Sequence, residues 1–181
     1  MTNQYLTLIR GINVGGNNII KMIDLKTSFE SFGFTDVVTY IQSGNVIFKS
    51  ENSDKHELTN IIEAGLSKRF SFDCKIVLIT FEQMEAVISK APDGFGEMPE
   101  EYRYDVLFLK EPLLPKDAVK DLKLREGIDA VYEGKSVIYF SRLISQAGQS
   151  YMNKIITMPI YKQMTIRNWN TTNKLYALMK K

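Results

Sequence analysis

The chain has 181 residues, 44% hydrophobic and 24% charged, with a single cysteine, a single histidine and a single tryptophan. Such a chain makes one large domain or two small ones and buries about 70% of its unfolded surface without staples. Cys74 alone excludes an internal disulfide, His56 alone excludes a multi-histidine metal site, and no apolar run approaches the ~20 residues that span a bilayer.

No basic segment followed by an apolar run opens the chain, so the expectation is a cytoplasmic protein without a signal peptide. Residues 5–10 predict the first strand, which runs into Arg10-Gly11-Ile12-Asn13-Val14-Gly15-Gly16. Glycines at this density let a backbone turn sharply and bring N–H groups near a ligand, and Arg10 at the mouth suggests an anion. Residues 22–33 predict a helix from the spacing of Met22, Leu25, Phe29 and Phe32, with Gly33 placed for a left-handed cap. Two β-rich runs, 35–41 and 45–49, flank the turn signal Gln42-Ser43-Gly44-Asn45. A helix at 55–70, with His56 as a solvated first-turn residue, and a strand at 74–80, with Cys74 as a small buried residue, complete the first unit.

Thr80 with Gln83 signals a capping box for a connecting helix at 81–90. The loop from Pro92 to Glu101 follows; its carboxylates Asp93, Glu97, Glu100 and Glu101, with Asp105 just beyond, read as a solvated face. Strand 103–109, helix 115–122, strands 128–132 and 136–141, helix 149–157, a short strand near 163–166 and a helix at 168–180 complete the chain. The order strand-helix-strand-strand-helix-strand, met twice, predicts an α+β fold of two tandem ferredoxin-like (βαββαβ) subdomains, 1–80 and 81–181, with a C-terminal helix.

In such a unit strands one and two point the same way, so the loop after the first and the turn after the second share one end of the sheet. Arg10, Gly11, Asn13, Gly15 and Gly16 would then lie beside Gln42, Ser43, Gly44 and Asn45, a surface of donors with no carboxylate. A third segment, Thr165-Ile166-Arg167-Asn168-Trp169-Asn170-Thr171, enters the last helix. Asn168 is a good N-cap, and a helix N-terminus favours anions. Arg167 and Asn168 fit ligand contact and interdomain docking equally. Trp169 fits a core anchor better than a base-stacking platform.

Charge is asymmetric behind a net of +2: residues 1–133 carry fifteen basic and twenty-one acidic side chains, and eight basic residues with no carboxylate follow Glu133. This fits a polyanionic partner for the C-terminal region and equally a basic part docked on the acidic part of its own chain. The phosphate-loop motif fails, because Asn17-Asn18 stands where its lysine and hydroxyl residue belong.

The segments Arg10–Gly16, Gln42–Asn45 and Thr165–Thr171, in this order and spacing, resemble an uncharacterised bacterial domain-of-unknown-function family over essentially the whole chain. That resemblance implies two ferredoxin-like subdomains and no activity. The family's stretch before the last motif is often more basic and leucine-rich than Gln149–Lys154 is here. The residues themselves favour binding of a phosphate-bearing ligand, nucleic acid or nucleotide. Arg10 and Arg167 would grip phosphate, and Asn13, Gln42 and Asn45 would read polar edges. The alternatives are an enzyme acting on a phosphorylated small molecule and a structural protein-interaction module. No metal or cofactor is expected, and neither the catalytic residues nor the oligomeric state can be read from the sequence.

Overall fold

Runs of buried apolar residues in the central strands build two four-stranded antiparallel sheets. The computed structural model describes residues 2–181. Contacts divide the chain into two units: one runs through Glu82 and takes back Ala177–Lys181, and the other is Gln83–Tyr176.

The first unit contains β1 (Asn3–Ile9), α1 (Met22–Ser31), β2 (Thr35–Tyr40), β3 (Asn45–Ser50), α2 (Lys55–Phe70) and β4 (Ile76–Thr80). Its sheet runs β2-β3-β1-β4. Tyr5 and Ile9 of β1 join Phe48, Ile76 and Leu78 in a core with Leu25 and Phe29 of α1 and Leu58, Ile62 and Leu66 of α2. Aromatic rings tie it together: Phe34 lies 4.3 Å from Phe48 between centroids, and Phe29 lies 5.4 Å from Phe48. Such pairs contribute about 0.5–1.5 kcal/mol beyond burial. Asp54 caps α2 by accepting from the N–H groups of His56 and Glu57, which leaves His56 an exposed first-turn residue. Cys74 is free and buried.

The second unit continues from α3 (Phe81–Ser89) with β5 (Tyr102–Leu109), α4 (Pro115–Asp121), β6 (Asp129–Glu133), β7 (Val137–Leu143), β8 (Met164–Asn168) and α5 (Trp169–Met179). The sheet order is β6-β7-β5-β8. On one face Leu107, Leu109, Ile138, Phe140 and Met164 pack with Ala118, Met152, Ile155 and Ile160. The Tyr139 hydroxyl donates to the Val87 carbonyl at 2.8 Å. Burial pushes that phenol up to about 12.

The structure corrects one element. The helix expected at 149–157 is a series of 3₁₀ turns, Ile144–Gln149, Tyr151–Thr157 and Pro159–Gln163. Ser150 stops one turn and caps the next by accepting from Met152 N–H, and Pro159 opens the third. With three residues per turn, Met152 and Ile155 fall on one side and both reach the core.

No described helix is long and apolar enough to cross a membrane.

Candidate functional site

The loop after β1 and the turn after β2 do meet. Asn13 Nδ2 donates to the Gln42 carbonyl at 2.8 Å, and the Ile9 N–H donates to the Gly44 carbonyl at 2.8 Å. Asn13 is the hub. It also donates to the Ile20 carbonyl at 3.0 Å, and its Oδ1 accepts from the Ile20 N–H at 2.8 Å. Its φ of +53° lies in the left-handed region that asparagine tolerates. Asn45 is fully buried; its Nδ2 donates to the Tyr40 carbonyl at 3.0 Å and to Ser43 Oγ at 2.8 Å. These bonds commit Asn13 and Asn45 to holding the two segments in place.

The glycines divide similarly. Gly15 and Gly16, at φ +59° and +78°, form the two-residue turn of a small hairpin in which Val14 bridges Asn17. Two successive positive φ values are what such a turn requires. Gly44 is a packing glycine: a Cβ there would stand 2.8 Å from Ile12 Cδ1 and 2.9 Å from Ile9 Cβ. Gly11 is exposed, and its carbonyl accepts from Asn18 Nδ2 at 3.1 Å. Arg10 is partly buried, and its backbone N–H donates to the Lys75 carbonyl at 3.0 Å. Gln42 is exposed.

The third segment lies in the other unit. Asn168 ends β8 and caps α5, accepting from the Thr171 N–H at 2.8 Å. Asn168 and Trp169 line a cavity of about 340 Å³ at this end of the sheet. β5 enters there while β7 and β8 leave, so the register brings distant residues together. Arg103 pairs with Arg142, and Asp105 pairs with Asn168. Tyr102, Arg103, Tyr104 and Arg142 complete the polar and aromatic wall, and Gly96 and Pro99 close one side. Among the described residues, no carboxylate, histidine, serine or cysteine belongs to the lining.

Trp169 is both an anchor and a wall. Phe95 meets it nearly edge-on at 5.2 Å, and Phe95 meets Tyr104 at 4.9 Å. The indole lies so close to the backbone of Gly96 that a Cβ there would approach Nε1 to 2.3 Å. Arg142 is held by donation from Nη1 to Asn153 Oδ1 at 2.9 Å, and Asn153 Nδ2 donates to the Ala147 carbonyl at 2.8 Å. Its Nε is buried and donates no hydrogen bond among the described residues. Arg103 Nε stands 3.7 Å from Asp105 Oδ2. Burial pushes the Asp105 carboxyl above its ordinary range, and the charges of Arg103 and Arg142 pull it partly back.

Arg167 is absent from the cavity lining. Alternation along β8 puts it on the face opposite Ile166 and Asn168, paired in register with Val106. Its Nη1 donates to the Ile166 carbonyl at 2.8 Å. Desolvation pulls the guanidinium down to about 10, so it keeps its charge at neutral pH. The sequence motif thus splits: Asn168 and Trp169 line the cavity, and Arg167 does not. Sequence reasoning missed Arg103, Arg142, Tyr102 and Tyr104. The available signal was the run Tyr102-Arg103-Tyr104 directly after the glycine-containing loop.

Comparison with known proteins agrees with this architecture and adds no activity. No curated protein matches the chain. It is similar in structure to the conserved bacterial protein SP0830 from Streptococcus pneumoniae, at 28% identity and a TM-score of 0.86, with 100% of each chain covered. A family model described as protein of unknown function (DUF1697) matches residues 1–139, and the chain belongs to that family.

Proposed function

We propose that this protein binds a phosphate-bearing ligand, a nucleotide or nucleic acid, and that the cavity at the N-terminus of α5 receives it. One observation carries the reading: two guanidiniums and three aromatic rings surround one cavity whose lining has no carboxylate. Arginine forks match phosphate oxygens, a helix N-terminus adds favourable partial charge, and aromatic faces take a planar ring. A cavity of about 340 Å³ sits at the small end of the range, about 300–1,000 Å³, typical of ligand sites.

In this reading both units are ferredoxin-like subdomains, near 1–80 and 81–181, and the glycine-rich loop of the first is scaffold. Asn13, Gly44 and Asn45 hold that loop to the Gln42–Asn45 turn instead of contacting ligand. Binding is favoured over turnover because the lining holds no carboxylate or histidine to move a proton.

Trp169 is the only tryptophan, so its fluorescence reports on the cavity directly. Ribonucleoside monophosphates and a mixed-sequence RNA are titrated at low and physiological salt. The expected result is a saturable, salt-weakened change in Trp169 emission that Arg142→Ala reduces about tenfold in affinity, the equivalent of about 1.4 kcal/mol. No response to either probe at millimolar nucleotide and low salt overturns the reading.

A further inference from the structure

Resting on that reading, we infer that the cavity takes one nucleoside monophosphate, stacked on its aromatic wall, rather than a segment of a nucleic-acid strand. Three features carry this. The first is size: about 340 Å³ holds a single small ligand. The second is charge. Arg103 and Arg142 share the single carboxylate of Asp105, which lies 3.7 Å from Arg103 Nε and acts on both, so the equivalent of one guanidinium is left uncompensated. One spare guanidinium and a helix N-terminus suit a single phosphate. A triphosphate brings far more charge than they offset.

The third feature is the rim. Gly96 and Pro99, which close the cavity, belong to the loop that carries Asp93, Glu97, Glu100 and Glu101, all exposed. A strand threaded through the cavity would carry further phosphates past those carboxylates. The like charges repel, whereas a nucleic-acid site ordinarily surrounds its strand with lysine and arginine. A mononucleotide brings no flanking phosphates and avoids that penalty. The rings of Tyr102, Tyr104 and Trp169 then favour a ligand with a planar base over a bare sugar phosphate.

The test follows Trp169 emission with four classes of probe: the ribonucleoside monophosphates AMP, GMP, CMP and UMP, each assayed singly; ribose 5-phosphate; adenosine; and a twelve-nucleotide RNA. The expected order has a monophosphate binding at least tenfold more tightly than ribose 5-phosphate and adenosine, with the RNA no tighter than the best monophosphate. RNA binding a hundredfold more tightly than any monophosphate overturns this inference and leaves the phosphate-ligand reading standing. Ribose 5-phosphate equal to the monophosphates does the same, because the aromatic wall is then unused. Silence with all four classes sinks both. Asp93→Asn combined with Glu97→Gln checks the rim independently of the lining: RNA affinity should rise severalfold while monophosphate affinity stays within twofold. No change in RNA affinity contradicts the rim's role.

Discussion

The two units end in contrasting ways. At the β1 end of the first, the residues that look most like a ligand site bind one another: the Asn13 amide serves Ile20 and Gln42, and the Asn45 amide serves Tyr40 and Ser43. At the β5 end of the second, Tyr102, Tyr104, Arg142 and Trp169 surround a cavity, though only Trp169 among them belongs to a short motif. A glycine- and asparagine-rich loop satisfies its own donors as readily as a ligand's acceptors. The amides of Asn13 and Asn45 are committed to their neighbours, whereas Arg142 and Trp169 line an open cavity.

The sharpest way to break this contrast is at Gly44. A Cβ there meets Ile12 and Ile9 at 2.8 and 2.9 Å, on a backbone at φ +73°. Overpacking and a left-handed alanine together should cost about 3 kcal/mol. A chemical denaturation midpoint checks it; a near-neutral Gly44→Ala would show that the loop is not packed as described. Asn13→Ala comes next, at about 2 kcal/mol, because it strands the Ile20 and Gln42 carbonyls and the Ile20 N–H. Monophosphate affinity should not change. A large loss of affinity with unchanged stability would move the site to the first unit.

In the second unit, Gly96→Ala drives a Cβ to 2.3 Å from the Trp169 indole, at φ +92°. The indole must move, so the emission maximum should shift and monophosphate affinity should fall at least tenfold, with a stability loss of about 1–3 kcal/mol. An unchanged spectrum and affinity would count against Trp169 as a cavity wall.

Asp105 gives the smallest effect and a pH signature. Its folded pKa is raised chiefly by burial. It therefore contributes stability that is complete below the unfolded value and is lost as pH rises through the raised one. Asp105→Asn should hold or slightly raise the melting temperature at neutral pH and remove this dependence. Protonation also removes the negative charge beside Arg103 and Arg142, so anion binding should tighten as pH falls through the carboxyl's range, and Asp105→Asn should flatten the trend. Persistence of the same pH dependence in the variant would assign it to another group.

Much of the element pattern is legible from residue spacing. Asp54 and the apolar stripe Leu58, Ile62 and Leu66 mark α2, and Gln42–Asn45 marks the turn where the chain reverses. The 3₁₀ turns between β7 and β8 are not, because Met152 and Ile155 at a spacing of three suit an α-helix as well. The meeting of the Arg10 loop with the Gln42 turn follows from strand direction alone. The cavity does not: Arg103 and Arg142 become neighbours only through the β5–β7 register, which short patterns do not encode. The arginine singled out beside the last helix, Arg167, pairs with Val106 on the sheet face shared by Tyr102 and Tyr104, yet it lies outside the lining.

The most direct test of the central claim compares two arginines, one from each unit. Trp169 fluorescence is titrated with the best-binding ribonucleoside monophosphate in the native protein, Arg10→Ala and Arg142→Ala, with folding of each verified by its thermal melt. The account predicts a loss of about tenfold or more in Arg142→Ala and native affinity in Arg10→Ala. Loss in Arg10→Ala with native affinity in Arg142→Ala would contradict it and return the ligand to the glycine loop.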